Sequence, residues 1–356
     1  QGTDSRPAHR HGRGYGVPCF IPGLARFMGV GKGLLSPFFL DKRTMIRYYL
    51  FACASNLKIH SLLKEKFLMT TELSKLPVPD RAERNAFFPS EYSLSVYTSK
   101  VTDFKGYGGI TPYEGPTKKI LVVASDERYV LTKKDNFFST GNHPVETLLP
   151  MMHLAHAGFE IEVATLSGNP VKLEQWAMPT EDKAVMGYYD SILPKFKEPK
   201  RLSDIIGEVT KPESCYVGAF FPGGHAALVG LPFSLDVKRV LLWAMKENKV
   251  LISLCHGPAA FLAAAIDEKP EDYLFKGFDM EVFPDALDEG ANQDIGYMPG
   301  CLRWLLAASL EKLGVHLLNS DITGAVHVDR NVITGDSPLA ANKLGLVAAK
   351  ELVIRM

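Results

Sequence analysis

The chain has no Cys-x-x-Cys pair and, over its 356 residues, no net charge. It also lacks any apolar run of about 18 residues, the length a membrane-crossing helix needs, and it shows no internal repeat or low-complexity tract. Each absence excludes something. Five cysteines (Cys19, Cys53, Cys215, Cys255, Cys301) are odd in number and widely spaced. That usage reads as reduced thiols in a cytoplasmic protein, not as a disulfide framework or a structural zinc site. A balanced charge gives no reason to expect a nucleic-acid partner, and the apolar patches at 34–40 and 48–54, split by charged residues, give none to expect a membrane. What is present is a 46% share of hydrophobic residues, enough for one large or two modest domains with a substantial core.

Charge is unevenly placed. Residues 1–68 hold 11 Lys/Arg and 3 Asp/Glu, leaving 29 and 37 for the remainder. This block is rich in Gly and Arg and shows no sustained period. A transit peptide, a basic or membrane-facing arm, and upstream sequence ahead of a true start at Met69 all fit. The third is preferred, because 69–72 opens an ordinary polar leader. The expected organisation is an atypical, disordered or misassigned extension over 1–68, a leader over 69–117 wrapping the core, and an α/β domain over 118–356.

Within that domain, strand signals at 119–124, 159–165, 216–221, 250–254, 315–319 and 332–334 alternate with helix signals at 143–157, 235–247 and 337–354. Pro144 suits a first helical turn and Gly158 a stop. Ser337 and Pro338 read as cap and first residue of the last helix. Alternation of this kind predicts a mostly parallel sheet covered by helices on both faces. Residues 170–212, with Trp176, Tyr188, Tyr189 and a Lys/Pro-rich end, break the rhythm and are expected to form a small helical lid domain.

The most informative tract is Val250-Leu251-Ile252-Ser253-Leu254-Cys255-His256-Gly257-Pro258. An apolar strand runs into a cysteine, then into an Ala-rich helix signal over 259–265. A thiol at such an elbow is exposed by a tight turn and lies in the positive field of a helix start, which favours thiolate. The alternative is a buried core cysteine. A nucleophilic cysteine needs a proton acceptor, an orienting carboxylate and oxyanion donors. Candidates are His256, or a satisfied core histidine; Asp285 and Asp288, or solvated loop charges; Glu146 in a first helical turn, or a dipole carboxylate; and the amides of Gly223 and Gly224, or a plain turn.

Leu254-Cys255-His256-Gly257-Pro258, Phe221-Pro222-Gly223-Gly224-His225 and Gly141-Asn142-His143-Pro144-Val145-Glu146 resemble the class I glutamine-amidotransferase-like superfamily. The closer likeness is to its heat shock protein 31 branch, a group of cofactor-independent glyoxalase III enzymes also described as protein deglycases and holding chaperones. Asn85 to Ser90, Trp176-Ala177-Met178-Pro179, Ile295 to Gly300 and Thr334 to Pro338 extend the likeness over about 80–354. The resemblance implies a flavodoxin-like α/β fold, a homodimer and no cofactor. It implies a Cys255–His256–Asp288 triad with Glu146 beside the thiol, and oxyanion amides from Gly224 and His256 near Gly223.

Some relatives hold a zinc-type ion with two histidines and a glutamate. Here Glu160 fits the glutamate position, but the histidine positions fall on Ala155 and Ile192. His156 is one residue late, and one step turns a helix side chain by about 100 degrees. No metal is therefore expected, and His143, His153 and His156 read as structural. His327-Val328-Asp329 imitates the His-x-Glu pair of glutaminases, but the local triad makes it unnecessary. The expected activity is conversion of methylglyoxal to D-lactate through a Cys255 hemithioacetal, a lyase of the D-lactate dehydratase type. Expected partners are a small dicarbonyl substrate and possible glycated or unfolding proteins. The competing readings are a stress-induced holding chaperone and an amidase or peptidase (a hydrolase) using the same triad.

Overall fold

The computed structural model describes residues 72–356. The readings on the extension 1–68, on Met69 and on Cys19 and Cys53 lie outside the described residues. The main sheet has seven strands: β1 (Lys119–Val123), β2 (Glu160–Thr165), β3 (Lys200–Arg201), β4 (Tyr216–Phe221), β5 (Val250–Leu254), β6 (Val326–Asp329) and β7 (Val332–Gly335). Their order is β6-β7-β5-β4-β1-β2-β3. All neighbours run parallel except the edge pair β6 and β7.

Successive strand residues face opposite sides of a sheet, and both sides here are buried. On β1, Leu121 and Val123 join a core with Leu202, Ile206, Val237, Leu241 and Phe261. Ile120 and Val122 join the opposite core with Leu148, Met152, Ile192, Leu344 and Ala348. Burial on both faces is why the strands read as unbroken apolar runs. Helices Pro144–His156, Lys183–Lys197 and Ala341–Ile354 cover one face, and Leu202–Val209 and Leu235–Lys246 the other. The expected flavodoxin-like α/β sandwich is this arrangement.

Several local expectations are corrected. Residues 170–212 contain the two helices Lys183–Lys197 and Leu202–Val209, but these cover the sheet, and Lys200–Arg201 is its edge strand. Val185, Ile192, Leu202 and Val209 are buried in the two cores, so apolar burial draws this segment into the main layers instead of a separate lid. Only its start, at Glu174 and Trp176, reaches the cavity described below. The strand expected at 315–319 is shortened to His316–Leu317 and pairs with Asp279–Met280 outside the main sheet. Ser337 does not cap the last helix. Its hydroxyl donates to the buried Asp336 at 2.7 Å, and a 3₁₀ turn, Pro338–Ala340, precedes the helix. Asp336 also accepts the backbone N–H groups of Thr323, Gly324 and Ala325, which holds the loop carrying Ile322.

The described part of the leader forms the strands Val78–Asp80 and Ala86–Phe88 of a four-stranded sheet with Phe137–Ser139 and Tyr129–Leu131. Ser90 caps the helix Glu91–Tyr97 that follows, and its hydroxyl donates to the Ile295 carbonyl at 2.6 Å. That bond ties the leader to the segment bearing Tyr297. No helix among the described residues is long and apolar enough to cross a membrane.

Leu121 is fully buried at the sheet centre. Leu121→Ala is expected to cost about 2–5 kcal/mol, the range for emptying a packed leucine site, as measured by urea unfolding at unchanged slope.

Candidate active site

β4 and β5 end side by side, with Phe221 facing Ser253 across the ladder. The chain beyond each end therefore meets at the carboxyl edge of the sheet, the usual ligand edge of such folds. β5 delivers Cys255 with φ +55°, a left-handed conformation that costs an L-residue strain and recurs at functional sites. Two hydrogen bonds fix it. Its N–H donates to the Gly335 carbonyl at 2.8 Å, and its carbonyl accepts from Phe283 N–H at 3.0 Å. The second bond anchors the segment that leads to Asp288. Residues Leu287–Ala291 wind as a π-turn, a form often found where a side chain must be re-aimed.

Cys255 Sγ lies 3.3 Å from His256 Nδ1, and His256 Nε2 lies 2.8 Å from Asp288 Oδ2. Asp288 Oδ1 faces His225 Nε2 at 3.0 Å and accepts from the Asn292 amide at 2.8 Å. Burial alone would raise the Asp288 pKa, but the imidazoles of His256 and His225 outweigh it and hold the carboxyl well below its usual range. An ionised carboxylate only accepts. Both histidines therefore carry their proton on Nε2, and the free lone pair of His256 is on Nδ1, facing the thiol. Burial, and then His225, hold the His256 pKa below its ordinary value, so the ring is neutral and able to take a proton.

Glu146 enters from the first turn of Pro144–His156. It is wholly buried, and neither oxygen has a hydrogen-bond partner of ordinary geometry. Burial pushes its pKa far up, and Glu174 and Asp336 add to this; among its neighbours only the Cys255 thiol favours the charged form. The Cys255 pKa is also pushed well up, by burial and then by Glu146, while the Gly224 backbone N–H pulls the other way. The thiolate-favouring field expected at this elbow is thus overridden. Nine residues of 3₁₀ helix, Gly257–Ala265, follow, but loss of water and a facing carboxyl dominate the thiol.

Gly223 and Gly224 are explained by space. A Cβ on Gly223 would collide with Glu146 Oε2 and stand 2.6 Å from the Leu254 carbonyl and 2.8 Å from Cys255 Cβ. Gly224 has φ +102°, and a Cβ there would collide with the Gly141 carbonyl. The Gly224 N–H points to the thiol, whereas the Gly223 carbonyl accepts from His143 N–H at 3.0 Å.

Cys255, His256, Glu146, Gly224 and His225 line a cavity of about 280 Å³, together with the aromatic rings of Tyr97, Trp176, Phe283 and Tyr297. Sequence reasoning missed four of its polar groups. His225 stood in the quoted Pro-Gly-Gly-His tract, but its partner Asp288 is 63 residues away. His143 is pushed down to about 3 by burial and His225, and its Nδ1 is unpartnered. Glu174 and Trp176 sit in the segment read as a lid.

Other candidates lie elsewhere. Asp285 accepts from Ala307 and Ala308 N–H, both at 2.8 Å, and so serves the start of helix Leu306–Lys312. His327 and Asp329 lie on edge strand β6, where Asp329 pairs with Arg330. The residues at the family's metal position do not fit an ion: Ala155 offers no ligand, Ile192 is in the core, Glu160 pairs with Lys119 and His156 stacks on Tyr107. His153 Nε2 instead meets Asn342 at 2.8 Å. His225, His256 and Asp288 offer ligand atoms within 4.8 Å of one another, but those atoms are engaged in the hydrogen bonds just described.

No protein-family model matches the chain. The protein/nucleic acid deglycase HchA of Pseudomonas aeruginosa (strain UCBPP-PA14) is 58% identical over 282 residues, 79% of this chain and 97% of that protein. The chain belongs to the heat shock protein 31 (HchA) family. A second HchA deglycase of this family, from Staphylococcus aureus (strain Newman), is 53% identical over 282 residues, 79% of this chain and 96% of its own length. Two solved structures share the fold. The Rapid Encystment Protein 24 KDa of Francisella tularensis has a TM-score of 0.55 at 18% identity, over 66% of this chain and 99% of its own. Glyoxalase III of Candida albicans has a TM-score of 0.52 at 20% identity, over 65% and 96%.

Because folding raises the Glu146 pKa, the stability it contributes is present at low pH and is lost as pH rises. Glu146→Gln removes that loss. Its thermal midpoint is expected to exceed that of the wild type by more at about pH 8 than at about pH 5; an equal difference at both would contradict the buried acid.

Proposed function

We propose that this chain is a cofactor-independent glyoxalase III with deglycase activity, in which Cys255 is the nucleophile. The observation that carries it is the Cys255–Glu146 pair, a buried thiol and a buried unpartnered carboxyl facing one small cavity. The relatives' name of deglycase and the structural neighbour's name of glyoxalase III point the same way. A cavity of about 280 Å³ suits a two- or three-carbon dicarbonyl better than a peptide, which disfavours the peptidase reading.

The thiol proton passes to His256 Nδ1, and sulfur bonds to the aldehyde carbon, C1, of methylglyoxal. The C1 oxygen gains the electron pair beside the Gly224 and His256 amides and takes the proton back from His256, giving a hemithioacetal. Glu146, protonated at rest, first releases its proton to solvent; as carboxylate it then removes hydrogen from C1, the pair forms a C1=C2 double bond, and the C2 oxygen takes a proton from an acid of the cavity. Glu146 then returns its proton to C2 while the C1 hydroxyl gives its own to solvent, balancing the proton taken up at the C2 oxygen and leaving a thioester and a C2 hydroxyl. Water, deprotonated by His256, attacks the thioester and releases lactate and the thiol. C1 is oxidised and C2 reduced within one molecule, so no redox cofactor is needed. Asp288 orients His256 by holding Nε2–H. Homodimer formation and a cytoplasmic location belong to this reading through the family resemblance, and holding of unfolding clients stays the competing one.

Cys255→Ala is expected to abolish D-lactate formation from methylglyoxal without added glutathione or metal. Glu146→Gln should lower turnover by about 100-fold or more, the usual scale of a lost proton-transfer group. Substantial activity in Cys255→Ala would sink the proposal.

A further inference from the structure

Besides Glu146, the cavity is lined by a second buried acid. Glu174 is wholly buried and lines the cavity. Its Oε1 accepts from the Thr140 hydroxyl at 2.5 Å, while Oε2 has no partner. Trp176 Nε1, also without a partner, lies on the same wall two residues on. Buried polar atoms are almost always paired, and a cluster of unpaired ones around one cavity is the imprint of a polar ligand. The lyase chemistry proposed above leaves one need unmet. When C1 loses hydrogen, the C2 oxygen takes up an electron pair, and that oxygen needs a proton donor. Glu146 is occupied at carbon, and His256 is committed to the C1 oxygen.

We infer that Glu174 is the general acid for the second carbonyl, its Oε2 donating a proton to the C2 oxygen as the enediol forms. The inference rests on the glyoxalase reading of the site. The proton returns to Glu174 from solvent or product once per turnover, so the balance closes without another reactant. The protonation state fits: burial raises the Glu174 pKa to about 7, against the opposing pull of Thr140, His225 and Arg128. Glu146 and Tyr297 also feel its charge. The acid form is the active one, so kcat should fall as pH rises through the Glu174 pKa. Arg128 does not neutralise the carboxylate directly, because its guanidinium donates to the carbonyls of Thr140 and Leu173.

The test compares wild type, Glu174→Gln and Thr140→Val with methylglyoxal across pH. Gln keeps the contact with Thr140 but carries no transferable proton. The expected result is a fall in kcat of about 100-fold with KM within about threefold, and loss of the alkaline limb. Thr140→Val removes a donor that stabilises the charged form, so the alkaline limb should move to higher pH, a shift that a merely structural glutamate would not produce. Alkylation of Cys255 by iodoacetamide at the wild-type rate shows that each variant keeps its site. Glu174→Gln with kcat within about threefold of wild type overturns the inference, as does a slowed variant whose limb Thr140→Val leaves in place. Absence of turnover in the wild type overturns the glyoxalase reading and takes this one with it; wild-type turnover with an unaffected Glu174→Gln overturns this one alone.

Discussion

Cys255 stands in a left-handed conformation between two backbone hydrogen bonds, one to Gly335 at the end of β7 and one to Phe283. The rest of the site hangs on that arrangement. The bond to Gly335 places the thiol at the rim of the sheet. The bond to Phe283 brings in the segment that supplies Asp288, so the backbone of Cys255 itself positions the carboxylate that holds His256. A side chain on Gly223 would break the arrangement, since Glu146 and Cys255 already occupy that space. A strained residue persists only where its surroundings over-determine it, and here they do so from three directions.

The second physical theme is the removal of water. Glu146, Glu174, Asp288, His143, His225 and His256 are all buried around one small cavity. Burial pushes carboxyls up and imidazoles down, and the site sorts its acids by their partners. Asp288 has two imidazoles and an amide and stays ionised. Glu146 and Glu174 each keep at least one oxygen unpartnered, and their pKa values rise. Carboxyls with separated pKa values in one cavity can hold an anion in one place and move protons in another. The same desolvation explains why Cys255 is not a ready thiolate: buried beside a carboxyl, the neutral thiol is the stable form.

Much of the fold was legible because strands buried on both faces must be apolar at every position. The runs at 119–123, 216–221 and 250–254 leave little else to be. Proline at 144 marked a helix start for the reason that its missing N–H costs nothing there. Reading failed where tertiary partners decided. The edge strand Lys200–Arg201 has no apolar pattern of its own and exists through pairing with Ala164 and Thr165. Ser337 had every local property of a cap, yet the buried Asp336 took its hydroxyl. Asp285 and Asp288, three residues apart, looked equivalent, and only the π-turn separates the one that meets histidine from the one that serves a helix start.

By itself, the sequence determined an α/β alternation of strands and helices and an elbow that presents Cys255 and His256 together. These follow from local chemistry: apolar runs, a tight turn and adjacency along the chain. Only the tertiary structure decided which distant groups meet that elbow. Glu146, His225, Glu174 and Asp288 come from four separate segments, and no spacing along the chain encodes their convergence. It also decided the charge of each group. A pKa is set by what surrounds the atom, and the depth of burial and the identity of the facing groups exist only once the chain has folded.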